Sequence, residues 1–152
     1  MINQLARYYS IIESQDKKLR FIMSRLLWRS RLCYLAMIYR NGYKLRFFPT
    51  ALAATLWVEN NDRNDDELFL EHFLKSGDTF VDIGANIGVL TLKAASAVGE
   101  SGSVIAFEPH PRVFKYLTKN ILLNDFRNIR AYNVGLGEHS DILHFTNQRS
   151  DD

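Results

Sequence analysis

The chain has 152 residues, 47% hydrophobic and 24% charged, a balance that fits one globular domain and excludes a disordered chain. Eight glycines and three prolines exclude collagen-like or low-complexity architecture, and the single cysteine, Cys33, excludes a disulfide scaffold and any multi-cysteine metal site. The net charge of +2 joins two unlike parts: residues 1–50 carry ten Lys or Arg against Glu13 and Asp16, a balance of +8, and residues 51–152 sum to −6.

The first twenty residues have neither an uninterrupted apolar run nor a small-residue cleavage site, so no signal peptide is expected and the expected location is cytoplasmic. The apolar stretch LLWRSRLCYLAMIYR is broken by Arg29, Arg31 and Arg40, well short of the roughly 20 residues a spanning helix needs. Residues 17–40 contain no Gly or Pro and place apolar side chains at Leu19, Ile22, Leu26, Cys33, Ala36 and Met37. This spacing predicts one long helix or two short ones, ended by Asn41-Gly42 as a C-cap. Three roles fit this basic segment: a cap packing Leu19, Ile22 and Leu26 onto the domain core, a peripheral membrane-surface helix with Trp28 among arginines, or a nucleic-acid contact. The cap is the ordinary one, and no nucleic acid is expected.

Residues 43–48 alternate in part and read as a strand closed by Pro49, while ALAATLWVEN (51–60) fits strand and helix alike. The acidic run 59–67 reads as a loop into a helix over 67–75, with Asp65 or Asp66 as N-cap, and Ser76-Gly77-Asp78 stops it. Strand, helix, strand, helix, strand follow at 79–84, 87–98, 103–108, 113–123 and 128–134. That order predicts a parallel sheet with right-handed crossover helices. The sixth apolar run, DILHFT (141–146), follows a connection too short for a crossover helix and reads as a hairpin-like antiparallel strand. The divisions expected are a basic, mainly helical lead-in (1–50), a connecting segment and helix (51–76), and a partial Rossmann-like domain (77–152).

The chemistry concentrates in Val81-Asp82-Ile83-Gly84-Ala85-Asn86-Ile87-Gly88, an apolar strand running through a glycine turn into a helix. Gly84 permits the turn, Gly88 lets the helix start approach the strand, and Asn86 is the non-glycine residue that best tolerates positive φ. Glu108 ends the next strand 20 residues after Gly88, where a ribose-binding acid belongs. A carboxylate there accepts from both ribose hydroxyls and repels a 2′-phosphate, which disfavours NADP. An adenosine-containing ligand is expected. NAD fingerprints use Gly-x-Gly-x-x-Gly against a pyrophosphate, whereas this loop is Gly-x-Asn-x-Gly with Asp82 two residues before it. An acid at that place suits a cation, and S-adenosylmethionine has an ammonium group, a ribose and no phosphate; an NAD-binding oxidoreductase domain stays as a weaker alternative.

At these residues the chain resembles the FkbM family of S-adenosylmethionine-dependent methyltransferases, class I enzymes with a Rossmann-like α/β fold. VDIGANIGVLTL is similar to the family's first motif, VIAFEPHPRVFKYLTKNILLN to its second strand and following helix, and NIRAYNVGLGE to its third strand and loop. The resemblance implies that Asp82, Gly84, Asn86 and Gly88 surround the methionine part of the cofactor, that Glu108 holds its ribose, and that Asn133 and Val134 contact the adenine. It implies O-methylation of a sugar or secondary-metabolite hydroxyl, with a small-molecule or glycan acceptor. Against the family's seven-stranded sheet this chain supplies the N-terminal half, β-α-β-α-β plus the DILHFT strand. It is therefore expected to be C-terminally truncated, and the alternative is a noncatalytic fragment or interaction module retaining a cofactor half-site. The strand Thr79–Ile83 would then have a bare edge open to self-association.

His110 lies in a helix-entry turn between two prolines and is expected to cap or face solvent and not to act as a general base. No two of the four histidines have the i, i+4 spacing of a helical metal pair, and no metal site is expected. No catalytic base is identifiable.

Overall fold

The structure, a computed structural model, describes residues 17–59, 61, 63–139 and 142. Helix α1 (Lys18–Arg29) leads through a 3-10 turn (Arg31–Leu35) into β1 (Met37–Arg40), which pairs antiparallel with β2 (Tyr43–Arg46), from Met37↔Arg46 to Arg40↔Tyr43. Two expectations are corrected here. Helix does not run to Arg40, and Asn41-Gly42 is the two-residue turn of a hairpin, not a helix C-cap, with Gly42 at φ +90°. The pair Asn-Gly serves both ends. What decides is that Met37-Ile38-Tyr39 meets a second strand-forming run immediately after the turn, and the paired backbone outweighs helical spacing.

The role expected of Leu19, Ile22 and Leu26 is also corrected. All three face outward, and α1 instead turns Phe21, Ser24, Leu27 and Trp28 toward the body of the protein. Buried Ser24, whose hydroxyl donates to the Phe21 carbonyl, is small enough to let α1 lie against the next helix. That helix, α2 (Ala51–Val58), is what the ambiguous stretch becomes: Thr50 caps it, its Oγ1 accepting from the Ala53 amide at 3.2 Å.

Helix α3 (Asn64–Phe73) begins three residues before the expected start, and its cap position holds Arg63 at φ 64°. Asp65 and Asp66, expected as caps, therefore lie inside the first turn with Glu67, near the positive end of the helix dipole. Glu67 is buried. It pairs with Arg40 and accepts from the Tyr43 hydroxyl at 2.9 Å, so it fastens α3 to both strands of the hairpin. Burial first, then the Glu67 charge, drives the Tyr43 hydroxyl far above its usual range.

The second sheet is three-stranded, parallel and ordered β3-β4-β5, built from β3 (Thr79–Ile83), β4 (Ser103–Phe107) and β5 (Ile129–Tyr132). Its register aligns Phe80, Val104 and Ile129 on one face, with Asp82, Ala106 and Ala131 beside them. Helices α4 (Val89–Val98) and α5 (Pro111–Leu123) cover that face, burying Val104 under Ala94, Ala95 and Val98, and Ala106 under Leu117. The lead-in hairpin packs onto the same helices: Leu45, Phe47 and Phe48 share one core with Leu92 and Tyr116, and Phe48 stacks on the Tyr116 ring at 4.2 Å. The DILHFT strand expected at 141–146 lies outside the described residues except for Ile142, which is in no strand.

Candidate functional site

The loop after β3 leaves the sheet while still bonded to it: the Gly84 and Ala85 amides donate to the Phe107 carbonyl at 2.8 and 3.0 Å. Three of its five residues are left-handed, Gly84 at φ +83°, Asn86 at φ 51° and Gly88 at φ +98°. Asn86 supports its own conformation by accepting from the Ile87 amide through Oδ1 at 2.8 Å. The two glycines are needed for different reasons. A Cβ on Gly88 would sit 2.8 Å from Leu117 Cδ1, whereas one on Gly84 would meet nothing within 4 Å. Gly88 closes the loop onto α5, and Gly84 faces open space.

Glu108, at the carboxyl end of β4, is buried and holds two turns together. Its Oε2 accepts from the Asn86 amide at 2.9 Å and its Oε1 from the His110 amide at 2.9 Å. Each carboxylate oxygen can accept a second bond, so the group binds the loop and keeps acceptor capacity for a ligand. The Asn133 side chain, just past β5, fixes the same turn by donating to the Glu108 and Pro109 carbonyls at 2.8 and 3.0 Å. Val134 follows it, exposed.

Asp82 lies on the covered face of β3, beneath the first turns of α4, and accepts from the Thr91 hydroxyl. Burial raises its carboxyl above the usual carboxylate range; the Thr91 bond pulls it down and the Glu108 charge pushes it further up. Two acids thus stand close enough to feel each other at the loop. That field attracts a cation and opposes a pyrophosphate.

All seven residues singled out from sequence, Asp82, Gly84, Asn86, Gly88, Glu108, Asn133 and Val134, fall at the carboxyl ends of three adjacent parallel strands, where open α/β sheets take their ligands. Asn120 was missed. It is fully buried on α5, donates to the Ile87 carbonyl at 2.8 Å and accepts from the Arg46 amide at 2.9 Å, so it ties the loop to the hairpin. The available signal was its spacing: Tyr116, Asn120 and Asn124 recur every four residues along one face of the helix.

His110 caps α5, its Nδ1 accepting from the Arg112 amide at 3.2 Å with Pro111 in the first turn. Among the described residues no group of three His, Cys, Asp or Glu could hold a metal ion, and no helix is long and apolar enough to cross a membrane. An open depression of about 470 Å³ is lined by Tyr34, Arg46 and Phe48 of the lead-in and by Lys119, Leu122 and Leu123 in the last turns of α5.

No family model matches the chain. It is 36% identical over 66 residues to Methyltransferase 1 of Beauveria bassiana (strain ARSEF 2860), covering 43% of this chain and 26% of that protein. It is 33% identical over 86 residues to methyltransferase sdnD of Sordaria araneosa, covering 53% of this chain and 33% of that one. The chain thus spans about a quarter to a third of the length of these curated relatives. Among solved structures, the SAM-dependent methyltransferase of Agrobacterium tumefaciens is similar with a TM-score of 0.51 at 15% identity, over 64% of this chain and 31% of that one. The likeness is one of fold: the parallel sheet with its crossover helices has the Rossmann-like arrangement of class I methyltransferases.

Proposed function

We propose that the chain is the cofactor-binding part of an S-adenosylmethionine-dependent methyltransferase of the FkbM type, acting on a hydroxyl of a sugar or secondary metabolite. The observation that carries this is Glu108, a buried carboxylate at the end of β4 whose two oxygens each accept one backbone amide and each keep a lone pair. In this reading Glu108 receives the two ribose hydroxyls, and the paired negative charge of Glu108 and Asp82 orients the ammonium end over the loop. Gly84 leaves the space the methionine part needs, and Asn133 and Val134 flank the adenine. When bound, S-adenosylmethionine would supply an electrophilic methyl group on a sulfonium centre, with Glu108, Asp82 and the loop Gly84–Gly88 as the residues that would hold it. The chain's own contribution is alignment.

The same two acids weigh against NAD. The Asn86 amide, which a dinucleotide loop would offer to a phosphate, is already given to Glu108. Isothermal titration with S-adenosylmethionine, S-adenosylhomocysteine and NAD tests the assignment: the first two should bind and NAD should not. Glu108→Ala should weaken binding at least about tenfold, since hydrogen bonds to a charged acceptor are each worth roughly 1.5–3 kcal/mol. Binding of NAD, or no binding of S-adenosylmethionine, overturns the proposal. Transfer of a labelled methyl group to glycans or hydroxylated metabolites is the separate test of the acceptor class.

A further inference from the structure

Helix α1 presents the wrong face to water for a helix that only caps a domain. Leu19, Ile22, Met23 and Leu26, spaced i, i+3, i+4 and i+7, form one stripe, and this stripe points outward, with Leu19 78% and Leu26 65% exposed. The side facing the protein is instead made by Phe21, buried Ser24, Leu27 and Trp28. The helix is fixed in this orientation by its packing against α2 and by Lys17 Nζ, which donates to Glu59 Oε2 at 3.1 Å beyond the end of α2. Leu32 and Leu35 add further exposed apolar side chains on the next turn.

The charges around the stripe are all of one sign. At about 3.6 residues per turn, Lys18, Arg25 and Arg29 run along one edge of it and Arg20 along the other, each of them exposed. No acidic residue occurs anywhere between Lys17 and Glu59, a span with nine Lys or Arg. A contiguous apolar stripe bordered on both sides by cations is complementary to a surface that is apolar within and negative at its rim. A nucleic acid would answer the charge and leave the leucines in water, and a second copy of the same helix would answer the leucines and bring like charges together.

We propose that the outward face of α1 docks on an anionic lipid bilayer, with the helix lying in the plane of the surface, Leu19, Ile22, Met23 and Leu26 in the headgroup–acyl boundary, and the flanking cations on lipid headgroups. The inference is independent of the cofactor reading, since none of these residues touches the glycine loop.

Flotation of the full chain with vesicles of phosphatidylcholine alone, and of phosphatidylcholine with phosphatidylserine, tests it. Binding is expected at low salt only when phosphatidylserine is present, and it should weaken as salt is raised. Arg25→Ala with Arg29→Ala should reduce partitioning about 30-fold, roughly fivefold for each cation near an anionic surface. Leu19→Ser with Leu26→Ser should reduce it at least about tenfold. Both double variants change exposed residues, so their circular dichroism and melting temperature should match the parent, which separates lost docking from lost folding. Failure to float with anionic vesicles at low salt overturns the proposal, as does equal binding to neutral ones. So does a dimer in sedimentation that disappears in the leucine variant, or binding to RNA in place of vesicles.

Discussion

Asp82 is held where ionisation is penalised, and that has a pH signature. Burial is the main cause of its raised proton affinity, the Glu108 charge adds to it, and the Thr91 hydroxyl offsets part of both. Between the ordinary carboxylate range and the raised native value, the folded state binds more protons than the unfolded one. Stability contributed by this group is therefore greatest at low pH, falls as pH rises through that window, and stays lower above it. This is opposite in sign to a salt-bridged aspartate. Asp82→Asn keeps an oxygen to accept from Thr91 and removes the charge, so it should raise the neutral-pH melting temperature and flatten this slope. Calorimetry of both proteins from about pH 4 upward checks it, and a difference that does not vary with pH would assign the effect to packing instead. The same variant should bind S-adenosylmethionine about tenfold more weakly, a site trading stability for charge. Asp82 and Glu108 were legible in sequence because a loop acid and a strand-end acid sit at fixed offsets from local glycines. Their partners were less legible: the Asn86 and His110 amides carry no side-chain signal, and Thr91 is one of many residues on α4.

At the scale of elements, the β3-to-α4 loop and helix α5 depend on each other. Gly88→Ala combines a left-handed φ with a Cβ 2.8 Å from the fully buried Leu117. It should cost about 2–5 kcal/mol, since the left-handed strain contributes roughly 1–2 kcal/mol and overpacking roughly 1–3 kcal/mol. Gly84→Ala meets only the conformational penalty, about 1–2 kcal/mol, yet it should impair cofactor binding more, because its Cβ enters the open space before the loop. Urea denaturation paired with titration separates the two, and equal effects on binding would remove the distinction. Asn120→Ala leaves the Ile87 carbonyl and the Arg46 amide without their partner and should cost about 3 kcal/mol in the same denaturation experiment. This bond also marks where sequence stopped being sufficient. The β-α-β-α-β order was readable from short apolar runs alternating with helical ones, because each element forms from its own residues. The lead-in was not: whether Met37–Arg40 is helix or strand depends on β2, and β2 is held in turn by Asn120 and Asn124, 74 to 80 residues away. Local periodicity carries no information about such a partner.

At the scale of the molecule, the parallel sheet is covered on one face and, among the described residues, open on the other. Val81, Ile105 and Arg130 align on the open face, followed by Ile83, Phe107 and Tyr132. Val81 is 48% and Ile83 67% exposed, and among the described residues no strand pairs with β3 on its outer side. Parallel sheets normally bury both faces, and an apolar edge strand without Lys, Pro or a bulge is a template for another strand. Thr79–Ile83 has none of these guards. A two-fold pairing of β3 with β3 of a second copy would complete both edges with one self-complementary contact. The expected outcome is concentration-dependent association in sedimentation velocity, undiminished by salt because the pairing joins uncharged backbone groups and apolar side chains. Val81→Lys with Ile83→Lys should return the protein to a monomer, placing charge on the edge and on the open face together. Leu19→Ser with Leu26→Ser should leave this association unchanged, since both residues lie on α1 and neither belongs to β3. A monodisperse, cooperatively melting monomer in the parent protein would show that the edge is protected by some other part of the chain, and the lysine variants would then lower its melting temperature without altering its mass.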